Sequence, residues 1–386
     1  MLINNYNMDK VYADSLKLHK KFHGKLEIKS KVPIRNRADL SLAYTPGVAE
    51  VCHVIAKDKS LAREYTMKKN MVAVVSDGSA ILGLGNLGPE AALPVMEGKA
   101  ILFKEFAGVD AFPICLDTQD TEEIIKTVKY LAPVFGGINL EDISAPRCFE
   151  IEERLKKELS IPVMHDDQHG TAVVVLAAMI NALKLKKLNK VQAKVVISGA
   201  GAAGTAVAKM LVHYGFKNVF VCDSKGLIHA NRTDLNEPKL ELARLTNATA
   251  KAGASLKDVL KKADVFIGVS GPNIISRAEV KTMNAKSVVL AMANPAPEIM
   301  PEEAKAGGAY IVATGRSDFP NQINNVLAFP GIFRGALDNK VTQITDAMLV
   351  KAAENLAKYV KNLTSENILP NPLDKGVVKV VAKAIK

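Results

Sequence analysis

Two pairs of adjacent carboxylates, Glu141-Asp142 and Asp166-Asp167, are the residues whose types and spacing most plainly invite chemistry. Each pair follows a strand-like stretch. Gly136-Gly137-Ile138-Asn139-Leu140 precedes the first, and the second sits in His165-Asp166-Asp167-Gln168-His169-Gly170-Thr171. Adjacent carboxylates repel, so gathering several in one cleft is costly unless a cation or a lysine neutralises them. An oxygen-only set suits Mg²⁺ or Mn²⁺ rather than zinc, with bound waters that an α-hydroxy or α-keto acid can displace. Two other readings stay open. Asp142 and Asp167 each stand where an N-terminal acid would cap a helix. His165-Asp166-Asp167-Gln168-His169 also approximates the zinc motif H-E-x-x-H with Asp for Glu, although Gly170 argues against one continuous helix holding both imidazoles.

The second constellation is Gly199-Ala200-Gly201-Ala202-Ala203-Gly204, with Asp223 nineteen residues past Gly204. It has the form of a dinucleotide site. Val195-Val196-Ile197-Ser198 reads as a buried strand, Gly199 permits the tight turn leaving it, and Gly201 makes room for a pyrophosphate. Gly204 lets the following helix pack close to the sheet, while the free N–H groups of that helix, including those of Ala202 and Ala203, face the phosphates. Asp223 ends a further strand, Val219-Phe220-Val221-Cys222, where its carboxylate can accept hydrogen bonds from an adenosine ribose. Its charge disfavours a 2′-phosphate, yet Lys225 lies two residues on and could pair with one, so NAD and NADP both remain open.

The elements that must position these groups follow from the apolar pattern. Residues 8 to 30 read as helix, followed by a turn at Tyr44-Thr45-Pro46-Gly47. Strand-like runs occur at 71–75 and 111–116, and between them residues 89 to 106 form a helix with Pro89 near its start. Past residue 165 the order becomes helix, strand, Gly-rich turn, helix, strand, then strands at 264–269 and 287–292, which is doubly wound α/β ordering. Lysine-rich amphipathic patterns at 345–362 and 373–386 predict closing helices.

With 386 residues and 48% hydrophobic content the chain can bury two domains, and disorder is excluded. The net charge of +11 comes from scattered lysines without a basic block, which suits small anionic substrates better than nucleic acid. Four cysteines, Cys52, Cys115, Cys148 and Cys222, lie far apart without C-x-x-C spacing, so a reducing, cytoplasmic location is expected. Met1 to Asn7 contain no apolar leader core, and the longest apolar stretch, Ala172 to Ile180, is too short to span a bilayer, so no membrane partner is expected.

Taken together and in order, Tyr44-Thr45-Pro46-Gly47-Val48-Ala49, Val75-Ser76-Asp77-Gly78 with Gly83-Leu84-Gly85-Asn86-Leu87-Gly88, Gly98-Lys99, Leu140-Glu141-Asp142-Ile143 and His165 to Thr171 resemble malic enzyme in its short bacterial-type form. The likeness runs from about residue 12 to the C-terminus. It implies two α/β domains: residues 1–160 with the Tyr/Lys pair and part of the metal site, and residues 161–386 as a Rossmann-type NAD(P)-binding domain with C-terminal helices. It further implies metal-dependent oxidative decarboxylation of (S)-malate to pyruvate and CO₂ with reduction of NAD(P)⁺. Lys99 would be the general base, Tyr44 the general acid, and Glu141, Asp142 and Asp167 the metal ligands. Asp166 would stand behind them near Lys99. Asn294 and Asn325 would hold substrate, with Asn294 also near the cofactor.

One departure stands out: larger relatives carry an arginine in the Asp-Gly loop that grips a malate carboxylate, whereas here the loop reads Asp77-Gly78-Ser79-Ala80-Ile81. Ser79 is the candidate replacement. The resemblance also implies a homodimer or higher homo-oligomer, helped by the apolar spacing of the N-terminal segment, and no appended acyltransferase-type domain is expected. The rival functions are a simple 2-hydroxy-acid dehydrogenase and a non-catalytic nucleotide-sensing or nucleic-acid-binding protein.

Overall fold

Apolar runs buried on both faces pair into two sheets, as parallel strands covered by helices require. The computed structural model describes residues 8–246 and 252–386. Met1 to Asn7, on which the expected lack of a leader rests, lie outside them. The first sheet is fully parallel in the order β2-β1-β3-β4, with β1 at Met71–Ser76, β2 at Asp110–Cys115, β3 at Gly137–Leu140 and β4 at Val163–His165. Strand β4 lies beyond residue 160 yet pairs with β3, so this sheet extends to His165.

The second sheet comprises β5 (Lys194–Ser198), β6 (Asn218–Asp223), β7 (Gly226–Leu227), β8 (Val265–Gly268), β9 (Ser287–Ala291) and β10 (Ala309–Thr314). Its order is β10-β9-β8-β5-β6-β7, parallel except for the short β7. From β5 the chain winds one way to β6 and then returns to the other side with β8, so the carboxyl end of β5 is the switch point where such sheets bind ligands.

The two sheets share one core. Val72 and Val74 of β1, Phe103, Val195 and Ile197 of β5 and Val173 to Ala178 belong to a single buried cluster. Its centre is the helix Asp166–Lys186, which packs on the helices Ala202–Tyr214 and Asp346–Tyr359. This helix is longer than the expected apolar stretch, and its length and composition would suffice to cross a bilayer, yet it is mostly buried inside the fold. Phe103, wholly buried, meets Phe329 edge-on at 4.8 Å and Phe333 at 5.5 Å. Burying such a ring stabilises by roughly 1.5–3 kcal/mol and fixes the helix Pro89–Ala107 against Phe329–Asp338.

Helix ends depart from expectation at both termini. The N-terminal helix covers only Met8–Phe22, and the closing helices are Asp346–Tyr359 and Gly376–Ala382.

Candidate active site

Strands β1, β3 and β4 are neighbours, so the loops leaving their carboxyl ends lie side by side. Those loops carry Asp77-Gly78-Ser79, Glu141-Asp142 and Asp166-Asp167. Glu141, Asp142 and Asp167 offer carboxylate oxygens within 4.8 Å of one another, the one such group of potential ligands among the described residues. Asp142 has φ +53°, a left-handed conformation that Asp tolerates better than most residues. Three bonds hold it there: Ala80 N–H donates to its carbonyl at 2.9 Å, its own N–H to Asp167 Oδ2 at 2.8 Å, and Leu82 N–H to its Oδ1 at 3.3 Å.

Lys99 enters from the Pro89–Ala107 helix, its side chain only 11% exposed. Its ammonium lies 2.5 Å from Asp166 Oδ2, 3.0 Å from Glu141 Oε1 and 4.6 Å from the centre of the Phe329 ring. Asn325 donates to the same Asp166 oxygen at 2.6 Å, and Asn139 donates to Glu141 Oε2 at 3.0 Å. Gly170 is required for this arrangement, because a Cβ there would fall 1.8 Å from Asp166 Oδ1.

Three buried carboxylates and the half-buried Asp167 face one ammonium, and the protonation equilibria register the imbalance. Burial pushes Asp142 up to about 8, with Asp167 repulsion adding to it, and burial raises Asp166 to about 6 despite Lys99. Glu141 also lies well above the ordinary carboxylate range, chiefly through burial. For Lys99, burial pulls downward, but the attraction of Asp166, Glu141 and Asp167 outweighs it and holds the ammonium above the usual lysine range. Asp142 Oδ2 and Asp166 Oδ1 are buried without a hydrogen-bond partner. An oxygen-only donor set with excess negative charge and an orphaned ligand atom fits a hard dication.

The helix N-terminal reading fails for Asp142, which precedes no helix, whereas Asp167 does lie in the first turn of Asp166–Lys186. That helix runs through Gly170 unbroken, but His165 ends β4 ahead of it, so as expected no one helix holds both imidazoles. The two imidazoles have separate surroundings: His169 Nε2 bonds Glu152 at 2.9 Å, and the wholly buried His165 has its Nε2 3.8 Å from Asp167. Glu152, unmarked in the sequence, also accepts from His165 N–H at 2.9 Å, from Lys156 at 2.8 Å and from Gln168 at 3.2 Å, anchoring the segment that carries Asp166 and Asp167.

The expected substrate contact Ser79 is otherwise engaged. The Ser79 hydroxyl donates to Asp77 Oδ1 at 2.6 Å and accepts from Ser144 N–H at 2.9 Å and Arg147 at 3.0 Å, a loop-fastening role. Arg147 also bonds Asp77 at 2.9 Å and Ser144 Oγ at 3.1 Å, tying the loop after β1 to the loop after β3. Asn294 is exposed after β9, and a Cβ at Gly83 would meet its carbonyl at 1.9 Å, so the glycine loop of the first sheet closes against it. Tyr44 stands apart, 66% exposed, and none of the cluster's hydrogen bonds involves its hydroxyl.

At the second sheet, Gly199 has φ +115° and Gly201 caps the Ala202–Tyr214 helix without a side-chain bond or an acid in the first turn. A Cβ at Gly204 would strike Gly199 O at 1.9 Å. Free N–H groups at a bare helix start fit a dinucleotide pyrophosphate. Asp223 ends β6 beside this turn, bonded by Arg232 at 2.8 and 3.1 Å and by Lys239 at 2.7 Å. Burial opposes ionisation there, but these hydrogen bonds bring Asp223 down to about 2. Lys225, the expected phosphate partner, instead points its ammonium to Asp234 at 2.8 Å and is 67% exposed.

Comparison with known proteins agrees with this geometry. Residues 23–156 match the malic enzyme N-terminal domain and residues 168–385 the malic enzyme NAD-binding domain. The bifunctional malic/malolactic enzyme of Bacillus subtilis is 58% identical over 375 residues, covering 96% of this chain and 91% of its own length. The NAD-dependent malic enzyme of Geobacillus stearothermophilus is also 58% identical, over 94% of this chain and 76% of its own. The crystal structure of the NAD-dependent malic enzyme from Thermotoga maritima superposes with a TM-score of 0.94 at 52% identity, covering 97% of this chain and 99% of that one.

Proposed function

Because the chain belongs to the malic enzyme family, we propose that it oxidatively decarboxylates (S)-malate to pyruvate and CO₂ while reducing NAD(P)⁺, with Lys99 as general base. The observation that carries this reading is Lys99, buried between Asp166 and Glu141 at the edge of three converging carboxylates. Mg²⁺ or Mn²⁺ held by Glu141, Asp142 and Asp167 would supply positive charge at the substrate's C2 oxygen and at the enolate left when CO₂ departs. The dinucleotide on the Gly199–Gly204 turn would accept the hydride.

The chain's own residues then handle the proton. With Glu141 and Asp167 partnered by a cation, Lys99 loses part of the attraction that keeps it charged, Asp166 being left, and burial together with the nearby positive charge favours the neutral amine able to take the hydroxyl proton at Nζ. Asp166 and Asn325 hold that nitrogen's orientation through the shared Oδ2. Asn294 and Asn325 are the substrate-side amides, and Arg147 with Ser79 keeps the ligand loops in register. Tyr44 would return a proton to the enolate carbon.

Leu16 (74% exposed), Ile28 (89%), Leu42 (79%) and Tyr44 are large apolar side chains left exposed along the N-terminal segment. Such exposure supports a homo-oligomer in which a second copy covers this segment and brings the region around Tyr44 out of water. Four unpaired cysteines fit a cytoplasmic location. Purified protein supplied with Mn²⁺, malate and either dinucleotide should produce NAD(P)H and pyruvate in equal amounts. Oxaloacetate without pyruvate would replace this reading with a simple 2-hydroxy-acid dehydrogenase.

A further inference from the structure

The acid closing β6 would ordinarily take the ribose hydroxyls of NAD⁺ with its free lone pairs. Here they are filled. A carboxylate offers about four acceptor sites, and Asp223 receives four donors: Lys225 N–H at 3.0 Å and Arg232 Nη1 at 2.8 Å on Oδ1, Arg232 Nη2 at 3.1 Å and Lys239 Nζ at 2.7 Å on Oδ2. A ribose 2′-hydroxyl arriving at this point must displace a charge-assisted bond to gain a neutral one.

A 2′-phosphate meets the opposite situation. It brings about −1.5 to −2 charge and three acceptor oxygens to a patch where Arg232, Lys239 and Lys225 outnumber Asp223 and Asp234. Lys239 engages Asp223 through one of its three donors. Arg232 is held a second time by Asp234, through Nε at 2.9 Å and Nη2 at 2.9 Å, so its guanidinium plane stays oriented if Nη1 turns from Asp223 to a phosphate. The patch also lies in the right place. Cys222, next to Asp223, accepts the Gly199 N–H at 2.8 Å, which sets the cations one residue from the strand pair that carries the pyrophosphate turn.

We propose that Arg232 and Lys239 form a clamp for the 2′-phosphate of NADP⁺, with Asp223 holding both cations in position while the site is free. The proposal rests on the dinucleotide reading of the Gly199–Gly204 turn and extends it to cofactor choice. Asp223 therefore organises the clamp and does not exclude the phosphate.

Calorimetric titration with adenosine 2′,5′-bisphosphate and with AMP tests the clamp separately from malate chemistry, because the two probes differ only at the 2′ position. The wild-type protein should bind the bisphosphate at least about tenfold more tightly, as expected for added charge-assisted hydrogen bonds. Lys239→Gln should cut that preference about tenfold, and Arg232→Gln with Lys239→Gln should remove it; taking the ratio cancels any general damage to the fold. Equal or tighter AMP binding by the wild type, or an unchanged ratio in the double variant, overturns the clamp. In turnover with malate and Mn²⁺, the ratio of kcat/KM for NADP⁺ over NAD⁺ should fall by the same factor. A preference for the bisphosphate without any malate oxidation would keep the clamp and discard the malic enzyme reading, whereas malate oxidation without that preference would do the reverse.

Discussion

The pocket around Lys99 and the patch around Asp223 are built from the same residue types with opposite deficits. In the first, four carboxylates face one ammonium, and burial with mutual repulsion raises Asp142 to about 8. In the second, two carboxylates face three cations, and Asp223 falls to about 2. Each region is prepared for what it lacks. The acidic pocket calls for a dication and the basic patch for an anion, so paired charges at a ligand site are best read by what is left over after pairing.

The sharpest way to break this contrast is to remove the pocket's one cation. Lys99→Ala should lower kcat by about 10²–10⁴-fold, the range for losing a positioned base, while Mn²⁺ binding measured directly becomes tighter because the competing ammonium is gone. Weaker Mn²⁺ binding in this variant would mean that the pocket's excess charge is not the basis of its affinity.

Removing carboxylates should separate the two regions by sign. In chelated protein at pH 8, Asp142→Asn should raise the melting temperature by relieving repulsion, and Asn accepts the same left-handed backbone. Asp223→Asn should lower it, costing about 1–2 kcal/mol for weakened charge-assisted bonds. Shifts of the same sign would erase the comparison.

The pH dependence follows from the same shifts. Asp142 titrates higher in the folded protein than its reference value of 3.8, so the folded state holds the extra proton and metal-free stability falls as pH rises from about 4 through 8. Asp223 titrates lower when folded, so its contribution is complete above about 4 and lost as pH falls towards 2. The gap in melting temperature between Mn²⁺-loaded and chelated protein should therefore be larger at pH 8 than at pH 6, because ligation also requires the deprotonated carboxylates. The smallest effect belongs to Lys225→Ala. Its pair with Asp234 is exposed and solvent-screened, so melting curves of the two proteins should nearly overlay.

Much of the framework was legible in local pattern. The apolar runs at 71–75 and 195–198, the glycine turn and the paired acids depend on side-chain alternation and on steric demands that act within a few residues. The extent of 8–30 misled because the chain leaves the helix at His23 and Gly24, both at positive φ. Glu152, Arg147, Phe329, Arg232 and Lys239 had no signal in the chain. Each is an ordinary residue on a helix or loop, and each acquires its role from a partner far away in sequence: Phe329 lies under Lys99, and Arg147 reaches Asp77.

The sequence by itself determined which segments become strands, where the chain turns sharply enough to admit a pyrophosphate, and that acids gather beside parallel strand ends, because those properties are set by neighbours along the backbone. Tertiary structure alone decided which charges neutralise one another, because Coulomb energy depends on distance and burial in space. Through that pairing it left Glu141, Asp142 and Asp167 in want of a cation, filled the lone pairs of Asp223, and aimed Lys99 rather than any surface lysine at the chemistry.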